Sequence, residues 1–99
     1  MLNITQTIEQ ARAILALQGR LDTVTAPELT RYIGELPEET EALVLDFSDL
    51  EYISSAGLRV LLSAQKRMAQ RGSLRLIHVG APIMEIFEVT GFSDILTIE

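Results

Sequence analysis

Two consecutive serines, Ser54 and Ser55, precede a small pair, Ala56-Gly57, and then a long amphipathic run. A hydroxyl placed there stands among unpaired backbone N–H groups at the positive end of a helix dipole, where a phosphate could be received. The residues alone leave two readings open. In one, Ser55 caps the helix, because serine is a preferred N-cap. In the other, Ser54 caps alone, Ser55 is free, and Ala56-Gly57 keep the first turn clear for an approaching molecule. Asp22 follows an inferred strand at the same kind of strand-to-helix junction. Sites in open α/β sheets gather outside the carboxyl ends of strands. Asp22 therefore either closes its own turn or stands beside Ser55 and hydrogen-bonds its hydroxyl.

Other chemistries find less support. A serine hydrolase needs a base and an oxyanion hole. The single histidine, His78, falls inside an inferred strand, and Ile53 occupies the position where a nucleophile elbow needs glycine. There is no glycine-rich phosphate loop with a lysine. The carboxylates of Glu38, Glu39 and Glu41 read as a solvated loop and not as a metal site. An enzyme using Ser55 remains the third-ranked reading, and no cofactor of its own is expected for the chain.

The elements that would position these residues follow from periodicity. Leu2 to Ile8 alternates in polarity and Ala13 to Leu17 is more apolar, which predicts a hairpin ending at Gly19-Arg20-Leu21-Asp22. Thr25-Ala26-Pro27-Glu28 opens a helix with the spacing of a capping box, and Leu29, Tyr32, Ile33 and Leu36 share one face. Leu43 to Phe47 is nearly continuous in apolar residues, as for a central strand covered on both faces. Ser48 to Ile53 reads as a connection. The helix after Ser55 buries Leu58, Leu61, Leu62 and Met68 and stops at Gly72. Leu74 to Val79 is the next strand. A short helix follows with Ile83, Ile86 and Phe87 inward, and Ile95 to Ile98 forms the last strand. The order β-β-α-β-α-β-α-β implies an α/β fold, a mixed but mostly parallel sheet with right-handed crossovers.

The chain has 99 residues, room for one domain spanning residues 1–99. Such a chain buries roughly 60–65% of its unfolded surface, which favours a surface site over a deep one. The formal net charge of −6 argues against nucleic acid and against an anionic membrane surface. Aromatic residues make up only 5%, too few for base-stacking platforms. No run approaches membrane-spanning length, no signal peptide is evident and cysteine is absent, so a cytoplasmic location is expected.

The stretch from Val44 to Leu62, VLDFSDLEYISSAGLRVLL, strongly resembles the signature of STAS domains, the anti-sigma factor antagonists of bacterial partner-switching systems. Gly19 to Asp22 with the Thr25-Ala26-Pro27-Glu28 helix resembles the family's N-terminal landmark, and Ala81-Pro82 to Phe92 its last helix. The resemblance covers nearly the whole chain. It implies a STAS-like single domain in which Ser55 is phosphorylated by a partner that is both anti-sigma factor and serine protein kinase. It also implies partner contacts over Asp22, Ser54, Ser55, Ala56, Gly57, Leu58 and Arg59. ATP and Mg²⁺ would be held by the kinase, and a phosphoserine phosphatase would reset the switch. Ser54 stands where many members carry aspartate, which makes it a competing acceptor. Ala56 stands where others carry Ser or Thr and cannot compete. The runner-up reading is a STAS scaffold, or a subunit of a larger regulatory or transport-linked assembly, without phosphorylation.

Overall fold

The computed structural model describes residues 1–99. The hairpin comes first, as β1 (Leu2–Glu9) and β2 (Arg12–Leu21), then α1 (Ala26–Gly34), β3 (Ala42–Ile53), α2 (Ser55–Ala69), β4 (Ser73–Ile77), α3 (Ala81–Thr90), a 3-10 turn (Phe92–Asp94) and β5 (Thr97–Ile98). The strands lie side by side in chain order. β1 and β2 are antiparallel, and every later neighbour is parallel.

That order decides where the helices go. Each crossover moves one strand along in the same direction, and right-handed crossovers then place α1, α2 and α3 on one face of the sheet. Ala13, Leu15 and Leu17 of β2, Leu43, Leu45 and Phe47 of β3, and Leu74 and Leu76 of β4 turn to that face. They meet Leu29 and Ile33 of α1, Leu61, Ala64 and Met68 of α2, and Ile83 and Phe87 of α3 in one core. The Phe47 and Phe87 rings lie 6.3 Å apart, in the range for tilted aromatic pairs.

The expectation of a central strand covered on both faces is corrected here. The opposite face of the sheet carries Ile14, Val44, Asp46, Arg75 and Ile77 by register, and no helix crosses over to it. Val44 is still only 1% exposed, flanked in register by Ile14 and Arg75. An apolar run therefore marks a central position in the sheet and not two-sided cover.

Three further boundaries differ from the sequence reading. Ser48 to Ile53 is not a connection but the second half of β3, which keeps pairing with β2 through two irregularities up to Leu21–Ile53. Its period is held by buried Leu50 and Ile53 between exposed residues. His78 lies outside β4, in a left-handed conformation at φ 58°, and its ring Nδ1 sits 3.0 Å from Asp46 Oδ1. The last strand shrinks to Thr97–Ile98, because the 3-10 turn brings Leu96 into the core before pairing begins.

The end of α2 is fastened by more than its dipole. Arg71 lies beyond the helix and donates from Nη2 to the Pro37 carbonyl at 2.8 Å and from Nε to the Thr40 carbonyl at 3.2 Å. Gly72 passes so close to Glu41 that an added Cβ would fall inside van der Waals contact of the Glu41 carbonyl. The Ser73 N–H bonds to that same carbonyl at 2.8 Å, so the backbones cannot move apart cheaply. Gly72→Ala is expected to cost about 2–3 kcal/mol, read as a lower midpoint in urea unfolding, with no compensation from any gain in helix propensity.

Candidate functional site

The site begins with a strand pair. Leu21 ends β2 and Ile53 ends β3, and the two are partners in the ladder. The Ser54 N–H then donates to the Leu21 carbonyl at 2.9 Å. Everything that follows either strand must leave the sheet from this common point. The Asp22–Thr25 loop and the first turn of α2 therefore emerge next to each other at the carboxyl end of the sheet.

The loop holds itself. Asp22 Oδ1 accepts from the Val24 N–H at 3.0 Å, the Thr25 N–H at 3.1 Å and lies 3.2 Å from the Thr25 hydroxyl. That hydroxyl also donates to the Arg20 carbonyl at 2.8 Å and accepts from the Asp22 N–H at 2.9 Å. The Arg20 guanidinium lies 3.7 Å from Asp22 Oδ2 and 4.2 Å above the Tyr52 ring. The Thr25 backbone N–H, chiefly, holds the Asp22 carboxyl below its ordinary value. Desolvation opposes it, and the Thr25 hydroxyl, the Val24 N–H and the Arg20 charge add to it.

Two sequence expectations change. The capping box does not form, since Thr25 makes no side-chain bond to the first turn of α1. Asp22 captures the Thr25 N–H instead. Asp22 closes its own turn and makes no hydrogen bond to Ser55, so the first of its two readings describes its geometry. Its carboxylate still lies in the loop beside the start of α2.

At that start the two serines separate. Ser54 is the N-cap residue, with extended backbone at φ −101° and ψ 176°, and it makes no capping bond. Its Oγ is enclosed and has no hydrogen-bond partner. Ser55 is the first helical residue and is exposed. Its hydroxyl makes no protein hydrogen bond, so the expectation that Ser55 caps the helix is not met. The first intrahelical bond runs from the Leu58 N–H to the Ser54 carbonyl at 3.0 Å. The N–H groups of Ser55, Ala56 and Gly57 precede it and are left free by helix geometry.

Gly57 and Leu58, expected in the contact surface, are both buried. A Cβ on Gly57 would come within 2.8 Å of Ile53 Cγ1 and of Leu21 Cγ, so glycine here lets α2 sit directly over the terminal strand pair. Ala56 is half-buried and Arg59 is exposed. Beside them runs a groove of about 570 Å³ between α1 and α2, floored by Ala26, Pro27, Ala56 and Val60 and edged by Thr30, Arg59 and Ser63. Sequence reasoning missed Pro27, Thr30, Val60 and Ser63 as surface residues. Their helical spacing put them on the outer flanks of two helices, but only the packing of α1 on α2 brings those flanks together.

His78 cannot serve Ser55 as a base. It pairs with Asp46, which lies seven residues before the end of β3, roughly 23 Å away along the strand. Partial burial acts to raise the Asp46 carboxyl, but the Ser48 N–H and the His78 ring outweigh it and hold it below its ordinary value. No group of three or more His, Cys, Asp or Glu side chains is placed to hold a metal. No helix is long and apolar enough to cross a membrane.

The chain thus combines a single layer of helices on a mixed sheet with an exposed serine at a helix start and a shallow groove beside it. The family model for the STAS domain matches residues 3–99. A Bordetella bronchiseptica protein, BtrV, described as a candidate anti-sigma factor antagonist, is 37% identical over 86% of this chain and 75% of its own. An anti-sigma-B factor antagonist of Listeria monocytogenes is 36% identical over 82% of this chain and 73% of its own. Among solved structures, an anti-sigma factor antagonist from Mycobacterium paratuberculosis superposes with a TM-score of 0.88 at 22% identity, covering 99% of this chain and 85% of that one. SpoIIAA superposes in its unphosphorylated form with a TM-score of 0.72 at 14% identity, covering 100% of this chain and 87% of that one. Its phosphorylated form gives 0.74 at 15%, covering 100% and 91%. The chain belongs to the STAS domain family, and its architecture is that family's α/β fold.

Ser54→Ala is expected to be neutral or to stabilise by up to about 1 kcal/mol, because it removes an enclosed hydroxyl that has no partner. A working N-cap serine would instead lose about 1 kcal/mol, and urea unfolding distinguishes the two. Asp22 and Asp46 titrate lower in the fold than the ordinary 3.8 of the unfolded chain. Their contributions are present above that value and are lost as pH falls through the lower folded values, where unfolding releases carboxylates that take up protons. Asp22→Asn and Asp46→Asn should each lower the thermal midpoint at pH 7. Each should also flatten its decline below about pH 4.

Proposed function

We propose that this chain is an anti-sigma factor antagonist that works as a phosphorylation-controlled binding switch, with Ser55 as the acceptor. One observation carries this reading. Of the two adjacent serines, Ser55 alone is exposed with an uncommitted hydroxyl, whereas the Ser54 oxygen is enclosed. Relatives named as antagonists of anti-sigma factors and the existence of SpoIIAA in two phosphorylation states support it.

In the unmodified state, Ser55, Ala56, Arg59 and the groove edged by Thr30 and Ser63 form the surface that docks on an anti-sigma factor with serine kinase activity. The partner supplies ATP and Mg²⁺. Ser55 Oγ attacks the γ-phosphorus, the Oγ–P bond forms as the bond to ADP breaks, and the hydroxyl proton passes to a base of the partner. The product carries about −1.5 to −2 additional charge. The free N–H groups of Ser55, Ala56 and Gly57 and the helix dipole tolerate that charge within the domain. The contact surface does not, because the dianion must be desolvated on docking and the Asp22 carboxylate lies in the neighbouring loop. Release from the kinase follows without unfolding, and a phosphoserine phosphatase restores binding. A kinase partner that draws on ATP supports a cytoplasmic location for the switch.

The test uses the cognate anti-sigma factor captured from the native cell. With ATP, mass spectrometry should find phosphate on Ser55 in the wild type and in Ser54→Ala, and none in Ser55→Ala. Ser55→Asp should bind that partner at least about tenfold more weakly than wild type, a difference of about 1.4 kcal/mol. Unchanged labelling of Ser55→Ala would overturn the acceptor. Binding without any labelling would favour the scaffold reading.

A further inference from the structure

The two edges of the sheet are unequal. β5 offers two residues, and beside it Arg75 and Glu99 form an ion pair at 3.0 Å; a short, charged edge resists pairing with other chains. β1 is eight residues long, pairs with β2 through every residue without a bulge, and contains no proline or lysine. Its only charge is Glu9 at one end.

The hairpin register fixes which backbone groups of β1 remain unpaired. The Arg20 N–H donates to the Met1 carbonyl at 3.0 Å, so these two are a hydrogen-bonded pair. Such pairs alternate along an antiparallel ladder, so Asn3, Thr5, Thr7 and Glu9 also bond to β2. Leu2, Ile4, Gln6 and Ile8 therefore aim their N–H and C=O groups away from the sheet. Ile8 is 40% exposed and Ile4 is only half-buried.

The geometry points to this edge pairing with β1 of a second copy of the chain, antiparallel, about a two-fold axis at Thr5. The second copy is the occupant because the edge is complementary to itself. With Thr5 opposite Thr5, Leu2 falls opposite Ile8 and Ile4 opposite Gln6, so all four edge-facing residues of each copy are matched through about eight hydrogen bonds. A shift of two residues either way leaves some of them unmatched. Asn3 falls opposite Thr7 on the open face. The two Glu9 residues end up at opposite ends of the pair, roughly 26 Å apart along the strand, so no like charges meet. Leu2, Ile4 and Ile8 share the helix side with Leu17 and Leu15 by register, and both helical layers then cover one face of a doubled sheet. The two Ser55 sites lie at its opposite ends and stay accessible. Pairing along one backbone edge buries less than the roughly 1,600 Å² of a standard interface, so the association is of the weak, concentration-dependent class.

The absence of cysteine allows a direct test. In the proposed register the Thr5 pair is of the non-hydrogen-bonded kind, with Cα atoms about 4.5 Å apart, within reach of a disulfide. At 100 μM under mild oxidation, Thr5→Cys should cross-link at least tenfold faster than Thr7→Cys. Adding Gln6→Pro removes an outward N–H and no bond to β2, and should abolish the preference while circular dichroism stays unchanged. Should that variant lose its fold, Thr5→Lys and Thr5→Glu test the contact without touching the backbone. Each alone should sediment as a monomer at concentrations where the wild type associates, and their mixture should associate again. Equal cross-linking rates at the two cysteines, faster linking at Thr7→Cys, or no recovery on mixing the charge variants would overturn the pairing.

Discussion

The meeting of Leu21 and Ile53, closed by the Ser54 N–H on the Leu21 carbonyl, is the constraint on which the rest of this surface depends. It makes the ends of two strands coincide, and two loops that are thirty residues apart in sequence are thereby forced to share one rim. Gly57 is the matching condition on the helical side. Without a Cβ, α2 settles directly over that strand pair, and its first residue is brought level with the Asp22 loop.

The same constraint explains how a small domain keeps an exposed hydroxyl at a fixed address. The Asp22–Thr25 loop draws its stiffness from bonds among its own residues, with Asp22 accepting from the backbone and Thr25 tying back to Arg20. Nothing in that network requires Ser55. A change in charge at Ser55 can therefore alter what binds outside without loosening what lies beneath. That separation suits a binding switch better than a conformational one.

The sequence revealed the element order, the hairpin, the mixed sheet and the serine pair, because these rest on local periodicity and on the small residues after Ser55. It did not reveal that Ser48 to Ile53 continues β3. Exposed Ser48, Asp49, Glu51 and Tyr52 look like a loop until β2 is known to run alongside. The apolar run Leu43 to Phe47 suggested two-sided cover, yet one-sidedness comes from strand order, which apolar content does not encode. His78 looked like a strand residue because neither its left-handed backbone nor its side-chain contact with Asp46, 32 positions away, shows in the local pattern. At the site, Asp22 and Ser55 were legible as residue types at strand ends. Which serine faces solvent, and the flanks of Pro27, Thr30, Val60 and Ser63 that border the groove, depend on helix rotation and packing.

The sequential strand order also bears on how the chain assembles. Each strand pairs only with its predecessor and successor in the chain, so no pairing has to wait for a distant segment to be threaded between two strands already in place. The hairpin closes over two residues, and each later strand joins after a single crossover. The entropic cost of closing each crossover rises only slowly with its length. The last strand in the chain is also the shortest, and its loss would fray the sheet only at the edge opposite β1.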